Sequence, residues 1–170
     1  MERAQRLLSR GARVVDLGCW PGGWLQVAAA AVGPEGRVVG VDLTPAEPPL
    51  DLANVFALQG DFAELGVLEA ILARLGGPAE LVLSDAAPKL TGVRATDRAR
   101  EEALLAALEA ALPRLLAPGG VLLAKLLDCP EAAAFVGRTR SRFGSARELR
   151  PEASRKGSSE RYLLARGHRP

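Results

Sequence analysis

The chain has 170 residues, of which 48% are hydrophobic and 25% charged, and its formal net charge is +2. These values predict one globular domain with a sizeable core, and no repeat or low-complexity stretch interrupts it. No apolar run is long enough to span a bilayer and no signal peptide opens the chain, so we expect a cytoplasmic protein without a membrane partner. Cys19 and Cys129 form no motif, so neither a disulfide nor a metal site is expected.

The charge is unevenly distributed along the chain. From Gly137 to Pro170, ten Arg and Lys residues stand against three Glu residues, whereas the remainder carries twelve basic and seventeen acidic side chains. A basic C-terminal fifth on an acidic body predicts a surface that meets a polyanion. A solvated helix and tail would show the same composition, so charge alone leaves both interpretations open.

A strand, a glycine turn and a helix form the strongest local pattern. The β-branched run from Arg13 to Leu17 predicts a buried strand, and the alanine-rich stretch from Gln26 to Val32 predicts a helix. Between them Gly18, Gly22 and Gly23 crowd one turn, where the absence of Cβ atoms lets backbone approach a ligand. An α/β protein presents a cofactor in this way at the carboxyl end of its first strand, although a turn without a ligand is the alternative.

The turn matches neither a dinucleotide fingerprint nor a phosphate loop. Its spacing is G-x-x-x-G-G, and Trp24 stands where a phosphate loop has lysine. No basic residue in the turn could meet a phosphate. The carboxylate of Asp16 and the flat indole of Trp24 suit a cationic ligand that carries a sugar and no phosphate. S-adenosylmethionine fits, because it has a sulfonium, an amino group and an adenosine.

Strands and helices alternate over the rest of the chain. Strands are predicted at Arg37 to Asp42, Val55 to Leu58, Glu80 to Ser84, Val121 to Leu127, Ala146 to Leu149 and Arg161 to Ala165, and helices at Met1 to Arg10, Glu64 to Leu75, Ala95 to Leu116 and Pro130 to Phe143. Lys125 lies inside an apolar strand, where an ammonium group is costly unless it is paired or used. Snorkelling at a strand end is the alternative for this lysine.

Acidic residues follow successive predicted strands. Asp42 lies 24 residues after Gly18, where nucleoside-binding α/β folds have an acid that accepts hydrogen bonds from ribose hydroxyls. Asp61 closes the third strand and is placed to accept from an adenine amino group. For either residue alone, a helix N-cap or a loop charge is the simpler interpretation. Their occurrence together favours a ligand.

Motifs from the glycine turn to the C-terminal region occur in one order. They are Asp16-Leu17-Gly18, Pro21-Gly22-Gly23-Trp24, Gln59-Gly60-Asp61-Phe62, Ser84-Asp85-x-Ala87-Pro88, Ala117-Pro118-Gly119-Gly120, Lys125, and Ser154-Arg155 running to Ser159-Glu160-x-Tyr162. In order and spacing they resemble the FtsJ/RrmJ ribosomal RNA methyltransferases, over most of the chain from about Arg13.

The resemblance implies a fold, a cofactor and a reaction. The implied fold is the Rossmann-like class I S-adenosylmethionine-dependent methyltransferase fold, a seven-stranded, mostly parallel sheet flanked by helices, as a single domain over residues 1–170 with a short helix over residues 1–12. The implied reaction is methyl transfer to a ribose 2′-hydroxyl, in bacterial members on a uridine of large-subunit ribosomal RNA. We expect the partner to be that RNA or the ribosomal subunit, and the protein to be a monomer without a metal. With the glycine turn, the cofactor residues are Asp16, Gly18, Gly22, Gly23, Trp24, Asp42, Asp61 and Asp85.

The family uses a Lys-Asp-Lys-Glu set in catalysis. Asp85, Lys125 and Glu160 carry over, whereas the first lysine, which the family has in a basic N-terminal segment, would precede Met1. We therefore expect normal cofactor binding and slow methylation. Burial favours a neutral Lys125 that acts as a base, whereas nearby carboxylates favour an ammonium that orients the hydroxyl, and the sequence leaves both open.

The basic C-terminal fifth gives the predicted RNA surface. Its members are expected to contact phosphates and comprise Arg138, Arg142, Arg155 and Lys156. Two other functions remain open at this point. One is a cofactor-binding RNA module without catalysis, and the other is a small-molecule O-methyltransferase in which the basic fifth is incidental.

Overall fold

A computed structural model describes residues 7–46, 51–149 and 161–170, which form a seven-stranded sheet flanked by helices. The strands are β1 (Arg13–Leu17), β2 (Arg37–Asp42), β3 (Val55–Gln59), β4 (Ala79–Ser84), β5 (Leu116–Leu126), β6 (Phe143–Leu149) and β7 (Arg161–His168). The helices are α1 (Gly23–Val32), α2 (Leu65–Leu75), α3 (Arg94–Leu115) and α4 (Pro130–Arg142). The helix predicted at the N-terminus falls largely outside the described residues, and residues 7–12 are not helical.

The sheet has the order β3-β2-β1-β4-β5-β7-β6. Strands β1 to β5 pair in parallel, whereas β7 is antiparallel to both of its neighbours. This topology confirms the predicted mostly parallel sheet of seven strands. The chain winds outward from β1 to β3 and then returns to place β4 on the other side of β1. In open α/β sheets, ligands bind at the carboxyl ends of the strands beside such a reversal.

Helices cover both faces of the sheet. Along β1, Val14 packs on the face of the sheet that α1 covers, whereas Val15 packs on the face that α2, α3 and α4 cover. The two differ because successive side chains of a strand point to opposite faces. The largest fully buried side chains include Phe135 of α4 and Leu108 of α3. Burying each contributes roughly 1.5–3 kcal/mol relative to exposure. Packing on two sides therefore explains why the central strands are almost entirely apolar.

The structure differs from the sequence prediction mainly at element ends. Helix α1 begins at Gly23, three residues before the alanine-rich stretch, and β5 begins at Leu116 instead of Val121. Pro118 to Gly120 lie within β5 at an irregularity of its pairing, since Leu116 pairs with Ala79 and Val121 pairs with Leu81. Strands β6 and β7 are also longer than predicted, because the added residues include glycines and polar side chains that do not follow the strand pattern.

Cys19 and Cys129 are both free, as the sequence predicted. Within the described ranges, none of the helices combines the length and hydropathy needed to cross a bilayer. The same ranges contain no group of three or more His, Cys, Asp or Glu side chains placed to hold a metal ion.

Candidate active site

A cleft of about 820 Å³ opens at the carboxyl edge of the sheet, beside the reversal between β1 and β4. Its acidic lining comprises Asp42, Asp61 and Asp85, all of which the sequence predicted, and Gly18 and Lys125 line it as well. Apolar side chains complete the walls: Val41, Leu43, Phe62 and Leu104. The cleft thus combines apolar surface with convergent carboxylates, as a site for a cationic nucleoside requires.

Gly18 fixes the approach of β1 to the chain after β4. The carbonyl oxygen of Leu17 accepts hydrogen bonds from the N–H groups of Asp85 at 3.0 Å and Ala86 at 3.1 Å. Gly18 has a φ of 78°, and a Cβ atom there would lie 2.5 Å from the Cα and N atoms of Ala86. A side chain at this position would therefore strain the backbone and displace Asp85 from the cleft.

The carboxylate of Asp42 ties the glycine turn to the end of β2. Its Oδ2 accepts a hydrogen bond from the backbone N–H of Trp20 at 3.0 Å, and its Oδ1 accepts one from Thr44 at 2.8 Å. Each carboxylate oxygen has capacity for a second hydrogen bond, so these bonds leave Asp42 able to accept from a ligand. Asp61 is similar: its Oδ1 accepts from the N–H of Ala63 at 2.8 Å while the residue lines the cleft. The local turn role therefore leaves the predicted ligand role available at both positions.

Asp16 is a buried carboxyl without a partner. It is 0% exposed, and neither carboxyl oxygen has a hydrogen-bond partner among the residues that the structure describes. Burial, followed by the nearby charges of Asp85 and Asp42, raises its pKa from 3.8 to about 7. Such a group is costly unless a ligand compensates it. A cation such as the sulfonium or amino group of S-adenosylmethionine would do so, and in this respect the residues fit that cofactor.

Lys125 and Asp85 form an ion pair at the cleft. The distance from Lys125 Nζ to Asp85 Oδ1 is 2.9 Å, and the lysine side chain is 13% exposed. The hydroxyl of Tyr162 donates to the same Asp85 oxygen at 3.4 Å, and Tyr162 pairs with Lys125 across β5 and β7. Lys125 is therefore a paired lysine inside the site, and snorkelling does not explain it. Glu160, the third predicted catalytic residue, lies outside the described residues.

A second carboxylate near Lys125 was missed in the sequence. Glu101 of α3 is 2% exposed, and its Oε1 accepts a hydrogen bond from the N–H of Leu127 at 3.1 Å. Burial raises the pKa of Glu101, while the Leu127 N–H and the charge of Lys125 act against that rise. The helical spacing of the sequence could have shown that Glu101 is buried, because Glu101 precedes Leu105 and Leu108 on the buried face of α3.

Four residues predicted to hold the cofactor do not line the cleft: the buried Asp16, and Gly22, Gly23 and Trp24 at the start of α1. Gly22 precedes α1 with a φ of 113°, and Gly23 is the first residue of that helix. The indole of Trp24 stacks on the ring of Tyr162, with centroids 6.3 Å apart and planes 15° from parallel. The observed roles of the two glycines and Trp24 are to begin α1 and to pack against β7, and a cofactor role for all four residues stays a prediction.

The predicted RNA-binding arginines of α4 lie away from the cleft. Because α4 begins after the carboxyl end of β5 and ends where β6 begins, Arg138 and Arg142 are carried towards the opposite edge of the sheet. Arg138 also pairs with Glu109 at 2.8 Å. Arg155 and Lys156 lie outside the described residues. Besides Lys125, the basic side chains that line the cleft are Lys89 and Arg100. Arg100 donates to the carbonyl oxygen of Lys89 at 2.5 Å.

Comparison with known proteins identifies the family of this chain. A family model described as FtsJ-like methyltransferase matches residues 1–168. The chain is 44% identical over 167 residues to the ribosomal RNA large subunit methyltransferase E of Acidiphilium cryptum, covering 96% of this chain and 71% of that protein. It is 41% identical over 172 residues to the protein of the same name from Xanthobacter autotrophicus, covering 99% and 66% respectively. The chain thus spans about two thirds of the length of these relatives.

Solved structures show the same fold. A protein from Plasmodium falciparum described as a ribosomal RNA methyltransferase superposes with a TM-score of 0.80 at 20% identity, covering 98% of this chain and 92% of that one. Aeropyrum pernix fibrillarin, solved with natively bound S-adenosylmethionine, superposes with a TM-score of 0.70 at 16% identity, covering 94% and 68%. The fold, the match over nearly the whole chain and the sequence identity to its relatives agree, and the chain belongs to the FtsJ-like methyltransferase family.

Proposed function

We propose that this protein transfers a methyl group from S-adenosylmethionine to a ribose 2′-hydroxyl of large-subunit ribosomal RNA, on a uridine. Membership of the methyltransferase family and the names of its relatives support the reaction and the substrate. The observation that carries the proposal is the Lys125–Asp85 ion pair, which lies on a cleft that also has an unpartnered buried carboxyl beside it. The proposal includes action as a monomer in the cytoplasm.

Carboxylates at successive strand ends would hold the cofactor. In this proposal Asp42 accepts from the ribose hydroxyls, Asp61 accepts from the adenine amino group, and Asp16 and Asp85 face the cationic end. When bound, S-adenosylmethionine supplies a methyl group made electrophilic by its sulfonium. The apolar lining from Leu43 and Phe62 suits the adenine ring.

Lys125 would act on the acceptor hydroxyl. An in-line displacement needs the hydroxyl oxygen aligned with the methyl carbon, and alignment alone lowers the barrier substantially. The Asp85 carboxylate holds the Lys125 ammonium in place, with Oδ1 2.9 Å from Nζ. A charged Lys125 then orients the hydroxyl and stabilises the negative charge that develops on its oxygen. The proton leaves late, to solvent or to another base.

The RNA would approach from the side of the cleft that Lys89 and Arg100 line. Both can contact phosphates there, since basic side chains supply most of the affinity for a nucleic-acid backbone. Arg138 and Arg142 of α4 lie farther from the cleft, and their contacts with RNA phosphates remain a prediction. Arg155 and Lys156 remain a prediction from the sequence.

The test is single-turnover transfer of a labelled methyl group to unmodified large-subunit RNA and to large ribosomal subunits. Nuclease digestion and mass spectrometry then show whether the label is on a ribose oxygen. We expect Lys125→Ala to slow transfer by roughly a hundred- to a thousandfold, the loss typical of one positioned electrostatic group. Lys125→Arg is the matched control, because it keeps the charge and cannot act as a base.

Each alternative function has a distinct outcome in the same assay. Label on a base, or transfer that is unchanged in Lys125→Ala, would contradict the proposed reaction. Preferential methylation of catechols would indicate a small-molecule O-methyltransferase. Binding of cofactor and RNA with no transfer to any acceptor would indicate an RNA-binding module without catalysis.

A further inference from the structure

We propose that Glu101 is a positioning residue for Lys125, acting from α3 on the same ammonium group that Asp85 contacts from the end of β4. The inference rests on the proposed function, in which Lys125 acts on the acceptor hydroxyl. Glu101 does not line the cleft, so it touches neither cofactor nor RNA and acts through Lys125.

The location of Glu101 supports this role. Its side chain is 2% exposed on the buried face of α3, where the neighbouring helical positions are leucines. A glutamate on such a face is costly unless its charge is compensated. The Leu127 N–H donates to Oε1 at 3.1 Å, which places the carboxylate against the chain two residues after Lys125.

Lys125 supplies the remaining compensation. Its positive charge favours the ionised form of the Glu101 carboxylate, and an attraction between two charges acts on both groups. Three titratable groups lie around this pair: Asp85, which contacts Lys125, Cys129, whose pKa the charge of Glu101 helps to raise, and Tyr162, whose hydroxyl contacts Asp85. Lys89 and Arg100 line the same cleft as Lys125. Asp85 contacts Lys125 directly, whereas Glu101 acts on it at longer range.

Asp85 and Glu101 therefore affect Lys125 differently once cofactor and substrate are bound. Asp85 lies on the cleft, where cofactor and substrate can draw its charge away from the lysine. Glu101 is shielded from the cleft, so its effect on Lys125 persists through binding. A charge that remains in place keeps the ammonium oriented at the moment when the hydroxyl arrives, as preorganised electrostatics requires.

Removing the charge of Glu101 should shift the pH dependence of methyl transfer in a predictable direction. Glu101→Gln keeps an oxygen that can accept from the Leu127 N–H and removes only the negative charge. Whether methyl transfer needs the neutral or the charged form of Lys125, losing a nearby negative charge moves the corresponding limb of the pH–rate profile to lower pH. A role confined to the Leu127 hydrogen bond would leave the profile in place.

The decisive measurement is a lysine titration by NMR with carbon-13 at the ε position. The chain has three lysines, Lys89, Lys125 and Lys156, so the spectrum is simple, and Lys125→Arg identifies the relevant signal. In Glu101→Gln we expect the titration midpoint of the Lys125 signal to shift to lower pH by roughly 0.5–1 unit, less than for a charge in direct contact. The pH–rate profile should shift in the same direction, while cofactor affinity stays unchanged.

Glu102→Gln is the matched control, because it removes the same charge from the next, exposed position of α3. An unchanged midpoint in Glu101→Gln, or equal shifts in both variants, would overturn the inference. If Glu101→Gln does not fold, Glu101→Met gives the same comparison, since an apolar side chain of similar length suits a buried helix face. Absence of methyl transfer in the unaltered protein would refute the proposed function, whereas the NMR titration would still decide the role of Glu101.

Discussion

Replacing Asp16 by Asn should stabilise the cofactor-free protein and weaken cofactor binding. Asn is close in shape to Asp and remains neutral at every pH. In the native protein the pKa of Asp16 is raised to about 7, because the carboxyl is buried beside Asp85 and Asp42. The native state therefore keeps a proton on Asp16 between pH 3.8 and 7, where the unfolded chain has released it. Across that window the stability of the unaltered protein falls as pH rises, and the Asn variant lacks this fall.

The size of the effect follows from the same rise in pKa. A change from 3.8 to about 7 corresponds to up to roughly 4 kcal/mol at 1.36 kcal/mol per pH unit. At pH 4 Asp16 is protonated in the native state and about half protonated in the unfolded chain, so the two proteins should differ little on this account. Above pH 7 the full cost is present in the unaltered protein. The stability advantage of Asp16→Asn should therefore grow by up to roughly 4 kcal/mol between pH 4 and pH 8.5.

Urea unfolding of both proteins at pH 4 and pH 8.5 measures this change in the stability difference. The titration of groups that do not interact with Asp16 cancels in the comparison. Calorimetry at pH 8.5 measures the second half of the prediction. Loss of a charged partner for the cationic end of S-adenosylmethionine should weaken binding by roughly 1.5–3 kcal/mol. An equal stability difference at the two pH values would refute the assignment of a raised pKa to Asp16, and unchanged affinity would remove it from the site.

Three further predictions concern the cleft. Gly18→Ala should lower stability by roughly 2–5 kcal/mol in thermal unfolding, since it adds steric overlap to a strained φ. Gly92→Ala is the control: Gly92 has a φ of 82° but open space around it, so only the smaller backbone cost should appear. Asp42→Ala should weaken cofactor binding by roughly 1.5–3 kcal/mol in calorimetry, and an unchanged affinity would exclude Asp42 from the ribose site. Arg100→Ala should weaken RNA binding and reduce its salt dependence more than Arg142→Ala; the reverse order would return the RNA surface to α4.

Much of the site could be predicted because its residues lie in local motifs at strand ends. Asp42 and Asp85 follow apolar strands directly, and parallel pairing brings such ends to one edge. Trp24 could not be placed in the same way, since its partner Tyr162 belongs to a distant strand that is inserted between β5 and β6. Glu101 was readable from helical spacing, but a charged residue in a helix otherwise suggests a solvated face. The distance of Arg142 from the cleft follows from the direction of α4, because a crossover helix runs back to the opposite edge of the sheet.

The position of β7 affects how the protein is made. It is the last of the described strands, yet it lies between β5 and β6 and pairs with both. During synthesis, β5 therefore leaves the ribosome with one edge unpaired, and an open edge of this kind can pair with other chains. The Tyr162 hydroxyl, which contacts Asp85, arrives with the same strand. Completion of the sheet and completion of the ion-pair site are thus one late step in the maturation of the nascent chain.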